Sequence, residues 1–188
     1  MLKYIEETGK HVEITGFRNV NIGEAEEFME AARRKLPKTA WVQFFDAKLV
    51  ATWQHLYFAV LNALLAFKNE RNISKSVAME TMLYASAQRQ IRKAICLMGV
   101  KCTVGDIAVV IIGESTKSIA TLLSSVSKYV GKETDDAVLE ISQEKEEGIR
   151  EAFGITDAEL EAVLEKDSVK EALVDLIIER VALLSTQL

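Results

Sequence analysis

The stretch Val104-Gly105-Asp106-Ile107-Ala108-Val109-Val110-Ile111-Ile112-Gly113 has the density of β-branched residues that is typical of a core strand. Shorter β-rich pieces at Tyr4–Ile5 and Val12–Phe17 lie on either side of a turn around Gly9 and predict a hairpin. Residues Trp41–Phe45 predict one more buried strand. Together these pieces predict a small, largely antiparallel sheet of about four strands.

Helical periodicity fills the chain between these strands. A long apolar segment from about Leu49 to Phe67 predicts a mostly buried helix. A second helix is predicted from Lys75 to about Met98, with Asn72 and Ser74 as capping residues and Gly99 at its end. Ser115 predicts the cap of a third helix, which continues to Tyr129 before Gly131.

The C-terminal part of the chain, residues 134–186, is predicted to be helical throughout. Its pattern breaks at Gly154, and a capping box formed by Thr156 and Glu159 predicts where the next helix begins. Near the N-terminus, Asn21 predicts the cap of a further helix that ends before Pro37. The predicted fold is therefore α+β, with a small sheet flanked by several helices and a helical C-terminal region.

Composition indicates a globular protein. A chain of 188 residues with 49% hydrophobic residues buries a sizeable core, which excludes disorder and a disulfide scaffold. Pro37 is the only proline and the nine glycines are scattered, so we predict one domain over residues 1–188. The N-terminus lacks the apolar stretch of a signal peptide, and no run approaches the ~20 apolar residues that span a bilayer. We expect a soluble, cytoplasmic protein with no membrane partner.

Residues suited to catalysis are scarce. Cys96 and Cys102 form neither a C-x-x-C motif nor a Cys/His cluster, which indicates a reducing compartment and argues against a zinc site. The P-loop, G-x-G-x-x-G, G-x-S-x-G, H-E-x-x-H and EF-hand patterns are all absent. His55 is predicted to be a buried histidine with hydrogen-bonded ring nitrogens. We expect no enzyme, metal or cofactor, and keep a small-molecule enzyme that uses His55 or Cys96 as a remote alternative.

The net charge of −5 is an average over two unlike parts. Residues 1–132 hold 18 Lys and Arg against 12 Asp and Glu, whereas residues 133–188 hold 5 against 16. The basic body therefore carries +6 and the acidic C-terminal region −11. Such asymmetry suggests an anionic partner for the body. The acidic region is expected to be a solvated helical surface, with shielding of the body from nonspecific RNA as the alternative.

The cations concentrate in residues 68–101, which carry seven of them against Glu70 and Glu80. A continuous helix over 75–98 places Ile91 and Ile95 on the core face and several cations on the opposite face. Glu80 falls on the apolar side, where a carboxylate needs a partner such as a cation or backbone N–H groups. The charged face is either solvated or paired within the protein, or it contacts phosphates. The candidate RNA-binding residues are Lys68, Arg71, Lys75, Arg89, Arg92 and Lys93.

Motifs of this same segment carry a family resemblance. The stretch Leu83-Tyr84-Ala85-Ser86-Ala87-Gln88-Arg89-Gln90-Ile91 resembles the kinase-binding subunit of the KEOPS complex, a family also described as PRPK-binding protein-like (TPRKB). The pieces that precede it, Phe45-Asp46, Trp53–Leu56 and Asn72–Ser76, follow in the same order. The closing Glu179–Leu184 is similar to the C-terminal helix of that family, and the acidic stretch 133–170 matches least.

The resemblance implies a non-catalytic subunit of the KEOPS complex, which makes the threonylcarbamoyladenosine (t6A) modification of tRNA through a different, transferase subunit. It implies binding of the small atypical kinase/ATPase subunit and recruitment of tRNA by its single-stranded 3′ CCA end, with the other KEOPS subunits as indirect partners. The kinase would dock on an apolar helix surface, at Leu173–Leu184 or at residues 116–129. The alternative is a protein-only scaffold or regulator of the kinase without RNA contact.

Overall fold

The computed structural model describes residues 1–21, 40–101, 104–164 and 168–186. Its sheet has four strands, β1 (Leu2–Ile5), β2 (Lys10–Asn21), β3 (Trp41–Asp46) and β4 (Val104–Gly113). The spatial order is β1-β2-β4-β3, and every neighbouring pair is antiparallel. The predicted small antiparallel sheet is confirmed, and the stretch 104–113 occupies an interior position in it.

Seven α-helices lie within the described residues. The predicted α+β class and the helical C-terminal region are confirmed. Short 3-10 helices lie at Ala47–Leu49, Asp136–Leu139 and Leu184–Thr186. The α-helices are α1 (Trp53–Lys68), α2 (Val77–Ala85), α3 (Ile91–Met98), α4 (Thr116–Val130), α5 (Gln143–Phe153), α6 (Asp157–Val163) and α7 (Val169–Leu183).

Each face of the sheet is covered by helices, because strand side chains alternate between the two faces. On one face Phe17, Phe44 and Val109 pack with Ile119 and Val126 of α4. On the other face a larger cluster joins the sheet to α1, α2, α3, α5, α6 and α7. The acidic C-terminal region is therefore part of the core as well as a surface.

The acidic C-terminal region reaches the sheet at Gly16. A methyl group at this position would lie 1.9 Å from Cγ2 of Val138, and the Gly16 carbonyl oxygen accepts a hydrogen bond from the N–H of Asp135 at 2.8 Å. Gly16→Ala is therefore expected to push the 3-10 helix off the sheet and lower the free energy of unfolding by about 2 kcal/mol, measured by urea denaturation.

Gly148→Ala is the matched control for Gly16→Ala. Gly148 lies inside α5, and a methyl group there meets only a side-chain atom of Leu49 at 4.0 Å. Alanine is expected to raise stability by about 0.5 kcal/mol, since glycine is unfavourable inside a helix. A Gly16→Ala protein as stable as the native one would contradict the close contact.

The prediction of one continuous helix over residues 75–98 is wrong, because the structure has two helices there. Helix α2 ends at Ala85, and the N–H groups of Ala87 and Gln88 donate back to the carbonyls of Tyr84 and Leu83. Ala87 adopts a left-handed conformation with φ of 49°. This pair of bonds is the Schellman arrangement that closes helices, and glycine usually takes the left-handed position. The chain then restarts as α3 in a new direction.

Other predicted boundaries need smaller corrections. The apolar segment forms α1 only from Trp53, after a 3-10 helix at Ala47–Leu49. The residue before α2 is Ser76, whose side chain makes no capping bond, while Asn72 and Ser74 lie in the preceding loop. The helix caps predicted at Ser115 and Thr156 are confirmed. The helix expected before Pro37 and the second cysteine, Cys102, lie outside the described residues.

Candidate functional site

Lys68 ends α1 and is engaged by the protein itself. Its ammonium donates a hydrogen bond to the carbonyl oxygen of Glu7, 2.7 Å away in the turn between β1 and β2. The side chain therefore ties the end of α1 to the hairpin. An RNA phosphate would have to compete with this bond, so Lys68 is less suited to RNA binding than its neighbours.

Arg71 and Lys75 lie in the loop 69–76 that connects α1 to α2, and both side chains are exposed. Neither forms an ion pair or a side-chain hydrogen bond with any residue that the structure describes. Pairing with the acidic C-terminal region, one of the two alternatives from the sequence, is therefore not seen for these two cations within the described ranges. Their charges face solvent at the beginning of α2.

Glu80 is fully buried, as its position on the apolar side of the helix predicts. Its carboxylate accepts hydrogen bonds from the backbone N–H groups of Ile73, at 3.0 and 3.1 Å, and of Ser74, at 2.6 Å. Backbone donors were among the partners that the sequence left open for Glu80. The carboxylate thus joins α2 to the loop that carries Arg71 and Lys75.

Arg89 lies in the connection between α2 and α3, not on the face of a long helix as the sequence predicts. Its guanidinium donates to the carbonyl oxygen of Leu184, 3.4 Å away, just after the end of α7. A cation that satisfies a helix-end carbonyl is a favourable arrangement. Arg89 thus links the α2–α3 connection to the end of α7.

Arg92 and Lys93 lie in the first turn of α3 and are exposed. Neither has an ion pair or side-chain hydrogen bond within the described part of the chain. Helix α2 separates them from Arg71 and Lys75, and its nine residues rise about 13 Å at 1.5 Å per residue. The candidate cations therefore form two groups, one at each end of α2, instead of one continuous face.

An exposed apolar surface lies beside the second group. Ile91 and Ile95 of α3 are 43% and 47% exposed, although the sequence predicts both on the core face. Leu183 of α7 is 42% exposed. It lies at the same end of the molecule as the start of α3, as the hydrogen bond from Arg89 to the neighbouring Leu184 indicates. We call Ile91, Ile95 and Leu183 the apolar end. Sequence periodicity missed it because the turn at Ala87 changes the phase of the helix.

Of the two segments predicted for kinase docking, residues 116–129 pack on the other face of the sheet, whereas Leu173–Leu184 contributes Leu183 to this apolar end. The outward side of α4 is mostly polar, with Lys117, Thr121, Ser125 and Lys128 exposed, and Tyr129 near its end is 49% exposed. The outward side of α7 carries acidic residues, and its buried leucines and isoleucines belong to the core. Of the segment Leu173–Leu184, the large apolar side chain most exposed to solvent is Leu183.

His55 is fully buried in the core, as predicted. One ring nitrogen lies 2.7 Å from the carbonyl oxygen of Ala85, the other accepts from the N–H of Ala51 at 3.4 Å, and the ring stands edge-on to Phe153. Burial lowers the pKa of His55 from 6.5 to about 4, although the Ala85 carbonyl opposes the shift. A neutral ring without solvent access offers no base to a substrate. Cys96 is exposed on α3.

A cleft of about 730 Å³ opens where β2, β3 and β4 meet the acidic C-terminal region. Lys145 lines it and donates hydrogen bonds to the carbonyl oxygens of Val138 and Val50. Burial lowers the pKa of Lys145 to about 8. The wall holds as many cations as carboxylates, which gives an anion such as phosphate no net attraction. The charged wall residues are Arg18, Lys48, Lys101, Lys145, Asp46, Asp106, Glu140 and Glu144.

Two carboxylates of the acidic C-terminal region contact the sheet. Asp135 accepts from Arg18 at 2.7 Å, and the hydrogen-bonded guanidinium lowers the pKa of Asp135. Asp136 accepts from the hydroxyl of Thr15 at 2.6 Å. These carboxylates hold the region to β2, away from the cations that flank α2.

The described ranges hold neither a candidate metal site nor a helix that could cross a membrane. Among residues 1–21, 40–101, 104–164 and 168–186, no group of three or more His, Cys, Asp or Glu is placed to hold a metal ion. Across the same ranges, every helix is too short or too polar to cross a membrane.

Comparison with known proteins identifies a matching family and a similar protein. Residues 17–185 match the model of a protein family described as kinase binding protein CGI-121. A protein of Methanocaldococcus jannaschii described as regulatory protein Cgi121 is 38% identical over 126 residues, which cover 66% of the present chain and 79% of the relative. The family match spans the whole apolar end and the four candidate cations for which the described residues provide no partner.

Proposed function

Because this chain belongs to the CGI-121 family of kinase-binding proteins, we propose that it is a non-catalytic, regulatory subunit that binds a protein kinase and recruits tRNA. The kinase is the small atypical kinase/ATPase subunit of the KEOPS complex. The RNA is a tRNA that receives the t6A modification, and this chain binds the tRNA at its single-stranded 3′ CCA end. The complex assembles in the cytoplasm, and the other KEOPS subunits are indirect partners.

The observation that carries the kinase proposal is the apolar end within a kinase-binding family. Ile91 and Ile95 stand one turn apart on α3, and Leu183 lies at the same end of the molecule. Exposed apolar side chains bordered by polar residues are typical of protein–protein contact sites. The kinase therefore docks on the apolar end, with α7 contributing at Leu183.

The RNA proposal rests on cations whose charge is not used within the described residues. Arg71 and Lys75 at one end of α2, and Arg92 and Lys93 at the other, are exposed and have no described partner. Phosphates bind such side chains with release of counterions. Single-stranded RNA also needs apolar or planar surfaces for its bases, which loop 69–76 offers at Ile73.

The double substitution Arg92→Glu with Lys93→Glu is expected to weaken binding of unmodified tRNA about tenfold at moderate salt. Each lost phosphate contact removes about 0.7 from the slope of log affinity against log salt, so the slope should fall by about 1.4. Fluorescence anisotropy of labelled tRNA across a salt series measures both quantities.

Lys117→Glu with Lys128→Glu is the control for charge alone. Both lysines are exposed on α4, on the opposite face of the sheet from α2 and α3. This variant has the same net charge as the first and is expected to retain most of its affinity and its salt slope. An equal loss of tRNA affinity in both variants would show that the effect comes from net charge and not from a specific contact at Arg92 and Lys93.

A protein-only scaffold is the second candidate function. Lys68 and Arg89, two of the six cations, are engaged by carbonyl oxygens of the protein, and this favours structural roles for them. The scaffold predicts that Lys93→Glu leaves tRNA affinity unchanged while changes at the apolar end abolish kinase binding. We also propose that residues 1–188 form one domain, since one core cluster runs from Ile5 to Leu184.

A further inference from the structure

Loop 69–76 is held in one shape by a carboxylate that has no contact with solvent. Both oxygens of Glu80 accept from the N–H of Ile73, and one also accepts from the N–H of Ser74. Burying a carboxylate is costly unless donors such as these replace its water. The energetic cost of breaking these bonds is therefore high, and the loop backbone is coupled to α2.

Side chains of the loop add further closing bonds. The amide of Asn72 donates to the carbonyl oxygen of Ser74 at 2.8 Å, and the hydroxyl of Ser74 donates to the carbonyl oxygen of Ser76 at 2.9 Å. Glu70 adopts a left-handed conformation with φ of 56° at the point where the chain leaves α1. Residues 70–76 are thus fixed at both ends and in the middle.

The fixed loop presents an alternating surface. Arg71 and Lys75 are exposed, Ile73 between them is 38% exposed, and Ser74 is buried. Two cations on either side of an apolar side chain suit a single strand of RNA, whose phosphates attract cations and whose unstacked bases need an apolar or planar surface. A ligand that meets a prearranged loop does not have to offset the entropy of ordering it.

We propose that Glu80 is a positioning residue that presets loop 69–76 for the terminal nucleotides of single-stranded RNA; this rests on the tRNA binding proposed above. Glu80 does not touch the RNA. Arg71 and Lys75 bind phosphates, Ile73 packs against a base, and the Glu80 carboxylate holds the backbone of Ile73 and Ser74 in the required geometry.

Four proteins test this role: the native chain, Glu80→Gln, Arg71→Ala with Lys75→Ala, and the triple variant. Each is titrated with tRNA and with the same tRNA lacking its CCA. Glu80→Gln is expected to lower the affinity for intact tRNA about tenfold, which is the usual effect of losing hydrogen bonds to a charged group. Its affinity for the truncated tRNA should change little. Because Glu80 acts through the loop, the triple variant should bind no more weakly than the double one.

Glu144→Gln, which removes an exposed carboxylate on α5, is the charge control and should keep the native preference for CCA. Kinase binding should be unchanged in all these variants. A Glu80→Gln protein that keeps the CCA preference, or a triple variant whose losses simply add, would overturn the positioning role. If the native chain itself shows no CCA preference, the RNA part of the proposed function fails and the role of Glu80 fails with it.

Asn72→Ala provides a second test that spares the core, and it decides the matter if Glu80→Gln does not fold. Asn72 is exposed, and the hydrogen bond from its side-chain amide to the carbonyl oxygen of Ser74 lies in the same loop. The expected result is a partial loss of the CCA preference with unchanged thermal stability. Full retention of the preference would count against a preset loop.

Discussion

Ile91→Asp combined with Ile95→Asp is expected to weaken kinase binding at least about a hundredfold, or about 2.7 kcal/mol. Each isoleucine side chain is nearly half exposed, and burying this exposed half against the kinase contributes about 1 kcal/mol. A carboxylate forced into the contact adds a desolvation cost of a similar size or larger. Isothermal titration with the atypical kinase of the same organism measures the change.

Val163→Asp with Leu164→Asp is the matched control for the apolar end. These two residues, at the end of α6, are 37% and 38% exposed, so the variant removes a similar apolar area and adds the same charge. It is expected to bind the kinase as the native chain does, and tRNA affinity should be retained. Equal loss of kinase binding in both variants would mean that the apolar end is not the docking surface.

Acidification is expected to remove about 3 kcal/mol of stability through His55 alone. The pKa of His55 is about 4 in the folded protein and 6.5 when unfolded, because burial penalises the charged ring. Between these values the unfolded chain binds more protons, so the free energy of unfolding falls as pH decreases from 6.5 to 4. The contribution is fully present above pH 6.5. It is large beside the 5–15 kcal/mol that stabilise a typical domain.

Urea denaturation at several pH values measures this effect by comparing the native chain with His55→Gln. His55→Gln removes the titrating ring and is expected to be less stable at pH 7 but to lose much less stability on acidification. Identical profiles for the native chain and His55→Gln would contradict a neutral, buried His55.

Local patterns predicted those elements whose signals lie in adjacent residues. The density of β-branched residues at 104–113 identified an interior strand, and Gly9 marked the hairpin turn. Gly131 and Gly154 ended helices as glycine does when it takes the left-handed position. These features depend on short-range sterics, and for that reason a sequence pattern carries them.

The turn after α2 could not be predicted in the same way. Its left-handed residue is Ala87, and an alanine carries no turn signal. Because the phase of the helix changes there, Ile91 and Ile95 become exposed and Arg89 turns toward the end of α7. The cations were identified as a group, but their division into two groups follows from tertiary packing. The pairing of Glu80 with backbone donors depends on the shape of loop 69–76, so the sequence leaves it as one of several alternatives.

The most direct test of a subunit that joins a kinase to the 3′ end of tRNA compares the kinase with and without this chain. Anisotropy titrations use labelled tRNA with and without its CCA. Adding the native chain to the kinase should raise affinity for intact tRNA at least about tenfold and leave truncated tRNA nearly unchanged. The Ile91→Asp, Ile95→Asp chain should give no such gain in the kinase–tRNA complex. Equal gains for intact and truncated tRNA, or no gain for either, would contradict the proposal.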